Sequence, residues 1–166
     1  MSNTKNLRIT GLTELLAKLE SVSADSITIC ESIAHAGADS MADTVKSQIN
    51  SLKTTSDDTY GRSSKKRYCY QWEKDGLVES MGISPVRQMG SVVDFKVGFD
   101  GYASGGKASK KYPKGKANAM IAYSINAGTT FMQAQPFLKK AQSSGRAAAI
   151  ACMKEELATE INKYMG

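Results

Sequence analysis

The first apolar pattern along the chain has the spacing of a helix. Its members fall at the i, i+3, i+4, i+7 spacing, and they are Leu12, Leu15, Leu16, Leu19 and Val22. Apolar residues at this spacing lie on one face of a helix, and the charged residues Lys18 and Glu20 fall outside that face. The pattern therefore predicts a short amphipathic helix near the start of the chain.

A longer helix is predicted from about residue 25 to residue 52. An apolar or small residue occupies every fourth position there, in the order Ile29, Ile33, Gly37, Met41, Val45 and Ile49. Because an α-helix has 3.6 residues per turn, a stripe with this repeat drifts slowly around the helix. Gly37 has two interpretations: it weakens the helix locally, or it lets another backbone approach closely.

After Leu77 the spacing changes from helical to alternating. Val93, Phe95, Val97 and Phe99 alternate with polar or small residues, and residues 80–86 alternate more loosely. Alternation with a period of two indicates a strand with one buried face. With a turn at residues 88–91, the two segments predict an antiparallel hairpin.

Two basic segments have no apolar periodicity and are expected to be exposed, mobile loops, near residues 53–67 and 101–117. Their basic residues are Arg62, Lys65, Lys66 and Arg67 in the first, and Lys107, Lys110, Lys111, Lys114 and Lys116 in the second. Tyr68, Tyr70 and Trp72 follow the first loop. Two interpretations of these aromatic residues stay open: they stack on nucleic-acid bases, or they belong to the core.

The last third of the chain predicts two helices joined by a turn. Residues 118–127 read NAMIAYSINA, which is typical of a short buried helix, and Gly128 ends it. Pro136 opens the final helix, because its fixed φ suits a first turn and the N–H it lacks would be unpaired there. We expect Phe137 and Leu138 to anchor this helix to the core.

The final helix is predicted to be long, with one large apolar face. That face consists of Ile150, Met153, Leu157, Ile161 and Tyr164, and Gly145 is expected to be a weak point. Together the patterns predict an α+β fold: a short antiparallel sheet packed by helices, with a long C-terminal helix.

Length and composition indicate one globular domain over residues 1–166. Hydrophobic residues make up 41% of the chain and charged residues 23%, which is ordinary for a folded domain. The three cysteines are widely spaced and odd in number, so no disulfide framework is expected. The first ten residues lack the apolar stretch of a secretory signal, and the longest apolar run, residues 147–153, is too short to cross a bilayer. We expect a soluble protein made in the cytoplasm, without a membrane partner.

The sequence contains no convincing catalytic motif. Residues 101–107 fit the first seven positions of a phosphate-binding loop, but Ala108 lacks the hydroxyl that holds magnesium in such loops. His35 is the only histidine and has no Cys or His at a ligand spacing. We therefore expect no enzymatic activity, no cofactor and no metal ion.

The nine basic residues of the two loops are candidate contacts to nucleic acid. The net charge is +6, and lysine or arginine in a loop can neutralise phosphates without reading a base sequence. The alternative is that these side chains only keep the surface solvated.

Three strings in the sequence resemble the gene-product-ten-like family of tail-component or neck proteins of long-tailed bacteriophages. They are GLTELLAKLE at residues 11–20, GLVESMGI at residues 76–83, and IAYSINAGTT at residues 121–130 followed by QPFL at residues 135–138. The family often has an acidic residue where Asn126 stands, and arginine and proline where Lys139 and Lys140 stand.

The resemblance implies a structural virion protein without enzymatic activity. Its expected fold is α+β, and its expected assembly is a homo-oligomeric ring, a hexamer or dodecamer, at the head–tail junction. The expected partners are copies of itself, neighbouring head-completion and tail proteins, and packaged DNA that passes through the ring beside the basic loops. The virion is then its location after assembly in the host cytoplasm. The alternative function is a small basic nucleic-acid-binding protein that acts outside a virion.

Overall fold

Five helices and six short strands form the part of the chain that the computed structural model describes, residues 12–56, 66–90, 92–105 and 110–165. In chain order they are α1 (Leu12–Ala24), α2 (Ser26–Asn50), β1 (Thr54–Thr55), β2 (Cys69–Tyr70), α3 (Gln71–Ser80), β3 (Met81–Ile83), β4 (Arg87–Met89), β5 (Val92–Asp94), β6 (Val97–Phe99), α4 (Asn118–Ala127) and α5 (Phe137–Met165). The fold is α+β with a long C-terminal helix, as the sequence predicts.

Helices α2 and α5 pack antiparallel through small residues. Their contacts run in opposite order, since Gly37 lies beside Met153 and Thr44 lies beside Gly145. The buried small residues at this interface are Gly37 on α2, and Ala141, Gly145 and Ala149 on α5. A Cβ atom at Gly145 would lie 2.9 Å from Thr44 Oγ1, so the two helices approach closely at this point. At Gly37 the element that approaches closely is a side chain and not a backbone, because a Cβ atom there would lie 2.7 Å from Met153 Cγ and 3.8 Å from the Ala149 carbonyl oxygen.

The apolar face predicted for α5 is largely exposed. Ile150, Leu157 and Ile161 are 42%, 41% and 39% exposed, so these three residues are not the ones that pack on α2. Met153 and Tyr164 are half-buried. Small side chains let two helix backbones come close together along their length, which the bulky stripe would prevent. Gly145, which the sequence predicts to be a weak point of the helix, lies in the close contact with Thr44.

The predicted hairpin is present, and a bulge divides it into two ladders. Strand β3 pairs with β6, with Ile83 opposite Val97, and β4 pairs with β5, with Arg87 opposite Asp94. The Ser84 N–H still donates to the Lys96 carbonyl at 2.8 Å. Pro85 and Val86 then stand opposite Phe95 alone, an arrangement typical of a β-bulge. Proline fits there because it has no N–H to donate to a ladder.

Helix α3 was not predicted from the sequence. Residues 71–80 contain a glycine and only one fully buried apolar residue, Leu77, so their helical periodicity is weak. Strand β3 consequently begins one residue later than the predicted strand. The predicted helices α1, α2 and α4 are confirmed, with a turn at Asp25 between the first two.

The core lies where the C-terminal half of α2 meets α3, α4 and the start of α5. Its most deeply buried large side chains are Ile49, Cys69, Tyr70, Leu77, Ile125 and Phe137. Phe99 of β6 packs against Phe137 with its ring centroid 6.3 Å away. This aromatic pair and Met81, which also packs against the core, join the hairpin to the helices.

We predict that Gly145→Val destabilises the protein. The added branched side chain would be forced against Thr44, whose own branched side chain has little freedom to move. Overpacking of this kind lowers the free energy of unfolding by about 1–3 kcal/mol. Urea denaturation measures the loss, and Ala148→Val, at an exposed position of the same helix, is the matched control. Equal stability of the two variants would contradict the close α2–α5 contact.

Candidate nucleic-acid and protein interfaces

The second basic loop is closed at its base by backbone hydrogen bonds. Tyr102 and Ala117 form an antiparallel bridge, and the Ala103 N–H donates to the Lys116 carbonyl at 2.9 Å. Gly115 has a φ of 88°, and a Cβ atom there would lie 2.6 Å from the Ala103 carbonyl oxygen. Glycine is therefore required at this position. We call residues 104–116 the lysine loop; its described lysines, Lys110, Lys111, Lys114 and Lys116, are all exposed, and Lys107 lies outside the described residues.

Of the basic residues of the first loop, the structure describes two, and they differ in exposure. Arg62 and Lys65 lie outside the described residues, and Lys66 is exposed. The Arg67 side chain is only 21% exposed, and its guanidinium donates from Nη1 and Nη2 to the two carboxylate oxygens of Glu73, at 2.9 and 3.2 Å. This placement corrects the expectation that Arg67 lies in an exposed loop, because a buried carboxylate holds its guanidinium.

Glu73 is the most deeply buried acidic residue in the described part of the chain, and Arg67 is not its only hydrogen-bond donor. Its Oε2 also accepts a hydrogen bond from the Tyr70 N–H at 2.8 Å, which satisfies a free donor at the start of α3. The Arg67 guanidinium lies 3.9 Å from the centroid of the Tyr70 ring. The ion pair therefore fixes the beginning of α3 against strand β2.

The aromatic residues after the first loop belong to the protein interior. Tyr70 is buried, and Tyr68 and Trp72 are half-buried. The Tyr70 and Trp72 rings stack at 6.1 Å with an angle of 17° between their planes. Of the two interpretations left open, the core interpretation is confirmed for Tyr70.

The segment between α4 and α5 has the predicted geometry at Gly128 and Phe137. Gly128 has a φ of 76°, its N–H donates to the Ser124 carbonyl at 2.9 Å, and a Cβ atom there would lie 2.9 Å from the Ala134 nitrogen. Pro136 immediately precedes α5, and Phe137 is buried. Leu138 is 37% exposed and lines a groove beside Val45 and Phe99, so it is much less buried than Phe137.

The sequence did not predict the hydrogen bonds that two polar side chains make in the same region. The Gln135 side chain accepts from the Lys53 N–H at 2.9 Å and donates to the Lys53 carbonyl at 3.0 Å. The Asn126 side-chain oxygen accepts from the Leu138 N–H at 3.1 Å and so caps α5 from the preceding helix. Their position beside Gly128 and Pro136 was the only feature of the sequence that pointed to them. Their hydrogen-bond partners, Leu138 and Lys53, are distant in the chain.

Large apolar side chains are exposed on several separate elements. On helices they are Leu15, Leu16 and Leu19 of α1, Ile150, Leu157 and Ile161 of α5, and Met120 and Tyr123 of α4; elsewhere they include Met89, Val92 and Phe131. Tyr123 and Phe131 are 72% and 78% exposed. Exposed apolar residues grouped on one element are typical of protein–protein contact surfaces.

The described residues contain little that could support catalysis. His35 Nδ1 lies 2.8 Å from Asp39 Oδ2 on the surface, with the edge of the imidazole near Phe95. Among these residues, no three His, Cys, Asp or Glu side chains converge as a metal site would require. None of the described helices combines the length and apolarity that a membrane crossing needs.

Comparisons with known proteins provide no assignment. No protein-family model, no curated protein and no solved structure matches this chain. The interpretation of its function therefore depends on its own residues.

We predict that Arg67→Ala destabilises the protein far more than Lys66→Ala. Removal of one partner of a buried pair leaves Glu73 uncompensated, which costs about 3 kcal/mol, whereas an exposed lysine contributes less than about 0.5 kcal/mol. The measurement is the free energy of unfolding in urea. Similar stability of the two variants would show that the Arg67–Glu73 pair does not fix α3.

Proposed function

We propose that this protein is a structural virion protein of a tailed bacteriophage. In this proposal it is a neck, head–tail joining or tail-completion subunit that forms a homo-oligomeric ring around the DNA channel. It has no enzymatic activity and needs no cofactor. Its partners are further copies of itself and the neighbouring head-completion and tail proteins.

The observation that supports a ring subunit is the presence of exposed apolar side chains on different sides of the chain. A closed ring built from one kind of subunit needs two different contact surfaces on each copy, because each copy meets its two neighbours through different faces. The α1 and α5 stripes and the hairpin residues Met89 and Val92 are such candidates. A small monomeric binding protein has less reason to leave so many large apolar residues exposed.

The resemblance to the phage family gives additional support through its location in the fold. The string at residues 121–130 and 135–138 forms the end of α4, the Gly128 turn and the start of α5. Asn126, where the family often has an acidic residue, caps α5 with its side-chain oxygen, a function that a carboxylate also performs. The fold class agrees with the family's, although fold alone does not establish function.

In the proposed ring, the lysine loop contacts packaged DNA. One copy contributes the exposed Lys110, Lys111, Lys114 and Lys116, and symmetry repeats them around the channel. Such contacts neutralise phosphates and do not select a sequence, as a channel for passing DNA requires. Arg67 takes no part, because Glu73 holds it.

We expect the purified protein to form closed rings of six or twelve copies. Light scattering measures the mass, and negative-stain electron microscopy identifies a ring with a central opening. Heads and tails that lack this protein should fail to join, and its addition should restore joining. A strict monomer that does not restore joining would overturn the proposal.

The second candidate is a nucleic-acid-binding protein outside the virion, favoured by the exposed lysine loop alone. For either function we predict that the triple variant Lys110→Ala, Lys111→Ala and Lys114→Ala weakens binding to duplex DNA and reduces the salt slope of the binding constant by about 3. The control is Lys139→Ala with Lys140→Ala, two exposed lysines on α5.

The assembly state separates the two candidates. Tight, salt-sensitive DNA binding by a monomer supports the second candidate, and binding that accompanies ring formation supports the first. Unchanged binding by the triple variant would exclude the lysine loop as the DNA contact in both.

A further inference from the structure

Helix α1 is hardly covered by the rest of the chain. From Glu14 onward none of its residues is buried, and only Lys18 and Val22 are half-buried. Its leucine stripe, which consists of Leu15, Leu16 and Leu19, is 42%, 51% and 50% exposed. A helix of 13 residues is marginal in water without tertiary packing. The leucine stripe therefore needs a covering surface that the same chain does not fully provide.

Helix α5 carries a matching apolar stripe on its outward side. The outer stripe consists of Ala147, Ile150, Leu157 and Ile161, and all four residues are exposed. Lys154 lies between Ile150 and Leu157 on the same face. With it included, the positions are separated alternately by three and four residues, which is the spacing of a helix–helix seam. The opposite side of α5 is already occupied, because Ala141, Gly145 and Ala149 pack on α2.

Helix α1 as a whole is about as long as the outer stripe, and the charges beside the two stripes are opposite in sign. At 1.5 Å per residue, α1 is about 20 Å long and residues 147–161 span about 22 Å. Lys154 is exposed within the outer stripe, and Glu20 is exposed beside the leucine stripe. Neither has an ionic partner among the residues that the structure describes, and Glu14 meets Lys18 only at 3.9 Å. A carboxylate on α1 can therefore pair with Lys154 when the stripes meet.

We propose that the leucine stripe of one copy packs on the outer stripe of α5 in a neighbouring copy, with Lys154 paired to Glu14 or Glu20 of that neighbour. This inference rests on the proposed homo-oligomer and names its subunit contact. The two surfaces are different, so the contact is head-to-tail and closes into a ring when the rotation between copies allows it.

Mixing two variants, each with one introduced cysteine, tests the contact directly. Cys30 and Cys152 are first replaced by serine, and Cys69 stays, because burial raises the pKa of its thiol to about 11 and keeps it protonated and unreactive. One variant then carries Leu19→Cys and the other Leu157→Cys. Under mild oxidation we expect a disulfide-linked dimer that contains one chain of each variant, and little cross-linking in either variant alone.

The control pairs Leu157→Cys with Lys46→Cys, an exposed position of α2 outside the proposed contact, and should give no mixed dimer. Cross-linking by Leu19→Cys alone would indicate α1 packed against α1 and would overturn the inference. If the protein forms rings but gives no mixed dimer, the proposed α1–α5 contact is wrong and the proposed function is unaffected. A wild-type monomer would overturn both.

Charge reversal provides a second test that does not need cysteine. Lys154→Glu, and separately Glu14→Lys with Glu20→Lys, should each weaken self-association at least about tenfold, because like charges then face one another. A mixture of the two variants should recover association, since every contact between unlike copies again joins opposite charges. Lys46→Glu on α2 is the control and should leave association unchanged. Failure of the mixture to recover would overturn the pairing.

Discussion

The close approach of α2 and α5 is the constraint on which most of the structure depends. A Cβ atom at Gly145 would lie 2.9 Å from Thr44, one at Gly37 would lie 2.7 Å from Met153, and Ala149 is buried beside Gly37. Once Gly145 and Ala149 face α2, Ile150, Leu157 and Ile161 face outward, because they lie on the other side of the same helix. One packing choice thus determines both the interior of the helix pair and the apolar stripe on its surface.

A second set of contacts fixes the elements around the core, and it consists of polar side chains. Glu73 ties the start of α3 to Arg67, Gln135 ties the chain before α5 to Lys53, and Asn126 caps α5 from α4. Glu73 satisfies a buried backbone N–H and a part-buried guanidinium, whereas Gln135 and Asn126 bond backbone groups at exposed positions. The long connections between helices are therefore held by hydrogen bonds, while the helices themselves are held by packing.

The basic residues show how position decides the role of one residue type. Lys66 and Arg67 are neighbours in the chain, yet the lysine is exposed and the guanidinium is held by a buried carboxylate. The lysine loop differs from both, since its base is fixed by backbone pairing while its described lysines are exposed. These basic residues contribute equally to the net charge, but only the exposed ones can contact a phosphate.

The sequence by itself determined the local elements with strong signals: the helices with regular apolar spacing, the alternating strands, the Gly128 turn and the Pro136 helix start. These follow from backbone geometry within a few residues. It could not determine which face of α5 is buried, because Ile150 and Ala149 both lie on plausible apolar faces and only the close fit to Gly37 and Thr44 selects one. Nor could it reveal α3, whose first turn depends on the Arg67–Glu73 pair, or the exposure of Leu138. Tertiary structure decided these features, because each depends on a partner that the folded chain brings near.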